Sequence, residues 1–321
     1  MDDGGCRETR DADRRRAEAL ARREELWRKR LRLERKLEYM KGEPGDNYLW
    51  HERLRMFLVA CLIWMTGLYA RGRRNRLDFK KTEITLRFEA LPECLRGFTI
   101  LFLSDLHFNC AGRRFPEAAA SFLNGIEVDL CLLGGDYRLG HLGREFFAVE
   151  NILRLLEGVR RRYGTYLVLG NHDNSDVCSG WPENGPRVLV NEGMAVGPGD
   201  AIWVAGVDDP HRFGCDCLDA ALLGCSGDAF RILLVHSPEI VDEAATKGIQ
   251  LYLCGHTHGG QVCLPGGIPV KYNARCPRAY ASGLWRRRGM TGYTSRGLGA
   301  ADLPLRYHCP PEAVVITLER A

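Results

Sequence analysis

Five short apolar runs punctuate the chain: Thr99 to Leu103, Leu130 to Leu133, Tyr166 to Leu169, Ile232 to Val235 and Leu251 to Cys254. Each is continuous rather than alternating, the pattern of a strand covered on both faces. Segments of helical spacing lie between them, notably Arg114 to Gly125, Arg144 to Arg162 and Glu239 to Lys247. Ala201 to Val207, Gly292 to Arg296 and Ala313 to Leu318 read as later strands that complete a second sheet. Strands alternating with helices predict an α/β fold.

Upstream the pattern changes. Residues 10 to 41 interleave Arg, Glu and Lys with Leu20, Leu26, Trp27, Leu31, Leu33, Leu37 and Met40. Leu26, Leu33, Leu37 and Met40 share one helical face, which predicts a long, charged, amphipathic helix ending near Gly42-Glu43-Pro44-Gly45. Its stripe suits either a solvated helix or contact with a membrane surface or partner, and the flanking arginines would meet anionic lipid head groups. Met56 to Ala70 is uncharged and bracketed by Arg55 and Arg71. Such a helix reaches only about 22 Å, against the roughly 30 Å of a bilayer core. A membrane-associating hairpin or shallow helix is therefore favoured over a single span, with a buried core helix third. The charged stretch ahead of it is too long for an ordinary signal peptide. The expected organisation is a charged helical head (1–55), an apolar membrane-associating segment (56–70), a linker with a first edge strand (71–97) and a catalytic domain (98–321).

Composition adds little beyond this: 321 residues with a net charge of +4 allow one large domain plus an appendage. The basic head is matched by nearly as many acids and no base-reading motif is present, so no nucleic-acid partner is expected. The 13 cysteines show no paired framework. Cys131 and Cys254 fall inside buried runs, and Cys215-Asp216-Cys217 lacks the other half of a zinc site. Free thiols in this number favour a reducing compartment and hence a cytoplasmic catalytic part.

The chemistry sits at the ends of the apolar runs. Ser104-Asp105-Leu106-His107, Gly134-Gly135-Asp136-Tyr137, Gly170-Asn171-His172-Asp173, His236 before Ser237-Pro238, and Gly255-His256-Thr257-His258-Gly259-Gly260-Gln261 follow the five runs in order. Two divalent cations about 3.5 to 4 Å apart can clamp the attacking and leaving oxygens of a phosphoryl group, and need one bridging carboxylate with neutral nitrogen and oxygen ligands on each side. Asp-x-His and His-x-His deliver paired ligands if side chains alternate as in a strand. His236 alone would more often be a core or loop histidine, and Asn171-His172-Asp173 alone a turn; the other clusters raise both. His51, His141, His211 and His308 lie outside these clusters and read as surface or packing residues.

From Phe98 to Leu318 the chain resembles the calcineurin-like metallophosphoesterases, whose Asp-x-His, Gly-Asp, Gly-Asn-His-Asp/Glu, His and Gly-His-x-His elements are all present in order. The resemblance implies a four-layer αββα sandwich with the metals at the C-terminal ends of the strands. It implies Asp105, His107 and His258 on one metal, Asn171, His236 and His256 on the other, and Asp136 bridging. It further implies a metal-bridging hydroxide as nucleophile, with His172 facing the substrate phosphate and Asp173 holding the His172 ring. Mn2+ is the first choice of metal, with Fe2+, Zn2+ or Mg2+ as alternatives.

Gly-Tyr-Thr-Ser-Arg-Gly-Leu-Gly from Gly292, Leu303-Pro304-Leu305-Arg306, and the Gly-Gly-Gln after the last histidine look like the bacterial, membrane-associated branch. That branch includes a pyrophosphatase of UDP-2,3-diacylglucosamine in the lipid A pathway, so a lipid-linked pyrophosphate at the inner membrane is the expected substrate. The alternatives are a broader phosphodiesterase or phosphatase on soluble or wall-derived phosphoesters, and a metal-binding scaffold without turnover. Cys110 to Pro116, Asp173 to Pro186, Asp208 to Cys217 and Leu264 to Arg288 would shape the pocket, with Arg113, Arg114, Arg275 and Arg278 as candidate anion binders.

Overall fold

In a computed structural model of the chain, residues 4–42, 58, 61, 63–138, 147–301 and 303–321 are described. Two mixed sheets face each other. The first has the order β1 (Lys80–Phe88), β16 (Glu312–Arg320), β2 (Thr99–Leu103), β4 (Leu130–Leu133), β6 (Thr165–Leu167), β7 (Arg187–Val188). The second runs β14 (Gly283–Arg287), β15 (Met290–Thr294), β11 (Leu251–Cys254), β10 (Phe230–Leu234), β9 (Ile202–Gly206), β8 (Glu192–Val196). In each, the strands that precede the polar clusters run parallel, β2 with β4 and β6, and β10 with β11. Their C-terminal ends therefore share one edge of the molecule.

The two sheets bury a common apolar layer. Ile100, Phe102, Leu130, Leu132 and Val168 of the first meet Val204, Phe230, Ile232, Leu234 and Leu253 of the second, all buried. The outer face of the first sheet is covered by helices α3 (Phe115–Leu123) and α4 (Phe147–Leu156), through Phe115, Ala119, Leu123, Ile152 and Leu155. The outer face of the second is covered by the short helices α5 (Leu218–Ala221) and α6 (Val241–Thr246), through Leu218, Ala221, Val241 and Ala244. Strands buried on both faces explain why the five runs are continuous rather than alternating.

One strand is placed differently from expectation. The segment read as Ala313 to Leu318 does not join the second sheet; as β16 it enters the first, parallel to β1 and antiparallel to β2. Its run Ala-Val-Val-Ile-Thr-Leu suits any interior position, so composition does not say which sheet it joins. Residues 144 to 146 of the helix expected over Arg144 to Arg162 lie outside the described residues, and Arg160–Arg161 forms a small strand, β5, paired with β3 (Glu127–Val128).

The head is one helix, α1 (Gly4–Gly42). Among residues 13–37, Ala19, Leu26, Arg30 and Glu34 are buried, a spacing that marks one face. Leu26 packs with Leu33 and Leu37 against Phe213 and Cys215 of the catalytic domain. The stripe read as a membrane or partner face is thus occupied by an intramolecular contact; the side chain of Met40 lies outside the described residues. Most of residues 43–62 lies outside them as well, and α2 (Leu68–Asn75) follows. No helix among the described residues is long and apolar enough to cross a membrane.

Candidate active site

All seven expected ligands come together at the shared strand edge, in two groups. Asp105 and His107 follow β2 and His258 follows β11. The His107 Nε2 atom lies 3.1 Å from His258 Nε2, and His258 Nε2 lies 3.6 Å from Asp105 Oδ1. In the second group His236 Nε2 lies 2.9 Å from Asn171 Oδ1 and 3.4 Å from Asp136 Oδ2, with His256 close by. Asp136 Oδ2 is also 3.5 Å from His107 Nε2, so one carboxylate oxygen touches both groups.

The residues do not converge by strand alternation. Asp105, His107, Asp136, His256 and His258 lie beyond their strands with φ between 40° and 70°. Left-handed backbone costs an L-residue roughly 1–2 kcal/mol each, and such strain concentrates at functional sites. Two glycines make the close approach possible: a Cβ at Gly170 would strike the Asp136 carboxylate and backbone, and one at Gly255 the Asp105 carboxylate.

The electrostatics tie the carboxylates and imidazoles together. Burial opposes charge on Asp136, yet His236, His172 and His107 outweigh it and hold its carboxyl well below the usual range. His236 is raised correspondingly, against burial, by Asp136. Burial first lowers His256 and His258 well below the usual imidazole value, with His236 adding to it at His256 and Arg306 at His258. The buried Nε2 of His256 has no hydrogen-bond partner, a state costing about 1–3 kcal/mol unless something occupies it. Facing imidazole and carboxylate donors with no thiolate fit divalent cations such as Mn2+, Fe2+ or Zn2+. The remaining ring nitrogens are fixed by the backbone: His107 Nδ1 is 3.0 Å from the Arg138 carbonyl and His236 Nδ1 is 2.8 Å from that of Gly134.

The Calcineurin-like phosphoesterase family matches residues 98–260, the stretch that carries all seven of these side chains. The chain belongs to this family. Among its relatives, the uncharacterized metallophosphoesterase YkuE of Bacillus subtilis is 28% identical over 246 residues, covering 74% of this chain and 85% of that protein. Phosphodiesterase YaeI of Escherichia coli is 31% identical, covering 69% and 82%. A zebrafish transmembrane protein with metallophosphoesterase domain is 30% identical over 75% of this chain, which spans 58% of that protein's length. As a member of the calcineurin-like family, the chain is a metal-dependent phosphoester hydrolase.

Other members of the site match expectation less closely. His172 is half-buried beside the ligands, its amide donating to Asp136 Oδ1 at 2.8 Å and its ring edge-on to His107 at 5.6 Å. Asp173 is given a different task from holding that ring. Its Oδ2 accepts from the amides of Asp136 and Gly170 and its Oδ1 from that of Tyr137, so the carboxylate ties the Asn171 loop to the Asp136 loop. Burial and then Asp136 push its carboxyl up to about 6.

His211, read as surface or packing, instead lies against the site. Its ring centroid is 4.0 Å from that of His256 and its Nδ1 is 2.6 Å from Glu239, whose carboxylate also accepts from the Arg275 amide at 3.0 Å. No spacing rule pointed to it; only the Asp208-Asp209-Pro210 turn that brings it round does. His308 is exposed, and His51 and His141 lie outside the described residues. The side chains of Arg113, Arg114, Arg275 and Arg278 are all exposed.

Proposed function

We propose that the chain hydrolyses phosphodiester or pyrophosphate bonds with two divalent cations, Mn2+ by preference, held by Asp105, His107 and His258 and by Asn171, His236 and His256, with Asp136 shared. The observation that carries this is the single Asp136 oxygen within 3.5 Å of a histidine from each group. Cations bound there would polarise the phosphoryl oxygens and lower the pKa of a water between them. The remaining work belongs to the protein. His172, half-buried beside the ligands, would donate a proton to the departing oxygen. Asp173 keeps Asp136 and Asn171 in register, and the buried setting excludes bulk water from the donor cage.

For the substrate, we favour a lipid-linked pyrophosphate such as UDP-2,3-diacylglucosamine, met at the inner face of a bacterial inner membrane. Support comes from two exposed apolar groups that share a neighbour. Trp64, Met65 and Leu68 are exposed, as are Leu264, Ile268 and Val270 around the hairpin β12 (Cys263–Leu264) and β13 (Ile268–Pro269). The Tyr307 hydroxyl donates to the Leu68 carbonyl at 2.5 Å, and the Tyr307 carbonyl accepts from the Cys263 amide at 2.9 Å. The hairpin continues directly from the His258 loop, so greasy surface adjoins the ligands. Arg71, Arg73 and Arg74 follow the first group, as an anionic lipid surface would require.

The broader reading, a phosphodiesterase for soluble substrates, has its own support. A relative bears the name phosphodiesterase. The full chain loaded with Mn2+ separates the two readings. Release of UMP from the diacylated sugar nucleotide in mixed micelles is expected. Hydrolysis of bis(p-nitrophenyl) phosphate without UMP release would move the assignment to soluble phosphodiesters, and no hydrolysis of either by protein with both metals bound would sink the catalytic reading.

A further inference from the structure

We propose that helix α1 is a positioning element of the active site, acting through Arg30 and Glu34 on the loop that carries Asn171 and His172. The proposal rests on the metal-site reading above. Arg30 is fully buried although the other arginines of residues 13–37 in the same helix are exposed or half-exposed. Its guanidinium stacks on the Phe213 ring at 3.9 Å, pairs with Asp208, and donates from Nε to Glu34 Oε1 at 2.8 Å. The remaining nitrogen, Nη2, donates to the Asp173 carbonyl at 2.6 Å and more weakly to that of Gly170 at 3.4 Å. Glu34 in turn accepts from the Ser175 amide at 3.0 Å and the Ser175 hydroxyl at 2.7 Å.

Residues 170 to 175 are therefore gripped at both ends by one helical turn of α1, with Asn171 and His172 between the grips. The grip extends further, because the Asp173 side chain holds the amides of Asp136 and Tyr137. A buried ion pair adds little to stability over apolar packing of the same volume. The planar fork of arginine does supply what packing cannot, donors fixed in direction on two carbonyls of a ligand loop. Groups that orient metal ligands from behind typically change metal affinity or activity by about 10–100-fold when removed.

The test uses the full chain with Arg30→Met, Arg30→Lys, Glu34→Gln and, as control, Arg23→Ala, which breaks a partly exposed pair of α1 with Glu192. Mn2+ binding is followed by calorimetry and by the Mn2+ resonance spectrum, and kcat and KM on bis(p-nitrophenyl) phosphate. Arg30→Met is expected to weaken one of two Mn2+ sites by about tenfold and to lower kcat by about 10–100-fold with KM within about twofold. Arg30→Lys should recover part of both, and Arg23→Ala should change neither. A folded Arg30→Met protein with two Mn2+ sites of unchanged affinity and full kcat would overturn the proposal, whatever its unfolding temperature. If that variant does not fold, the isosteric Glu34→Gln decides in the same measurements. Wild-type protein that takes up no Mn2+ would instead sink the metal reading, a result distinct from equal binding by wild type and variants.

Discussion

The two halves of the site are braced by the same kind of residue under opposite electrostatic conditions. Behind Asp105, His107 and His258 lies Arg306, fully buried, donating to the carbonyls of Gly297, Gly299 and Cys309, with Nη2 3.4 Å from His258 Nδ1. Behind Asn171 and His172 lies Arg30, equally buried and also donating to carbonyls, but paired with Asp208 and Glu34. Among the described residues no carboxylate pairs with Arg306. Burial accordingly lowers Arg306, whereas Asp208 and Glu34 raise Arg30 against burial. The partner of Arg306 is the Cys309 thiol instead, 3.8 Å from Nη1. Burial first, and Arg306 after it, lower His258, whereas Asp136 raises His236 against burial. A buried arginine without a carboxylate can thus act on a neighbouring ring, while one paired with two carboxylates acts chiefly as a clamp on a loop.

Four further results would break or sharpen that contrast. Asp136 belongs to both halves, so Asp136→Asn should weaken both Mn2+ sites and lower kcat by about a thousandfold or more; metal analysis showing both ions retained with full turnover would dissolve the shared-ligand geometry. His172→Ala should keep both metals and lose about a hundredfold in kcat, and unchanged kinetics would remove this histidine from proton transfer. Arg306→Met takes the arginine donors from the Gly299 and Cys309 carbonyls, while that of Gly297 keeps the Glu312 amide, and should cost about 1–3 kcal/mol in urea unfolding. A variant as stable as wild type would show the Arg306 brace to be dispensable.

The smallest effect concerns only the second half. Burial opposes ionisation of Glu239, but the hydrogen bonds of His211 and the Arg275 amide, with the Ser237 hydroxyl beside them, outweigh it and bring the carboxyl down to about 2. A depressed carboxylate contributes stability that is present above its unfolded pKa and lost as pH falls through the folded one. Wild type should therefore lose about 2 kcal/mol more than Glu239→Gln between pH 4.5 and 2, after allowance for solvent screening. Parallel pH curves for the two proteins would show that the His211–Glu239 pair is not formed in solution.

The strands and the gathering of the seven candidate side chains were legible because buried strands leave continuous apolar runs, and because groups meant for one site must stand where such runs stop. Geometry at those ends was not legible. Alternation along a strand was the expected route to a pair at Asp105 and His107, yet both lie beyond β2 in left-handed backbone, which side-chain spacing does not report. Arg30 was hidden for another reason. It is one of many arginines in a charged helix, and only burial distinguishes it from the solvated ones around it. The same holds for the stripe of Leu26, Leu33 and Leu37, whose pattern announces an apolar contact without naming what it touches. The hold of Asp173 on the Asp136, Tyr137 and Gly170 amides was not legible either, since a carboxylate beside a histidine in sequence can as readily accept from the amides of the turn.

The position of β16 has a consequence for synthesis. Glu312–Arg320 fills the gap between β1 and β2, and β2 delivers Asp105 and His107. As the polypeptide emerges from a ribosome, β2 keeps one open edge until residue 320 has cleared the tunnel, long after every ligand has been made. Nascent intermediates would carry histidines and carboxylates on an unpaired edge, exposed to stray cations and to pairing with other chains, and the enzyme closes that interval only with β16.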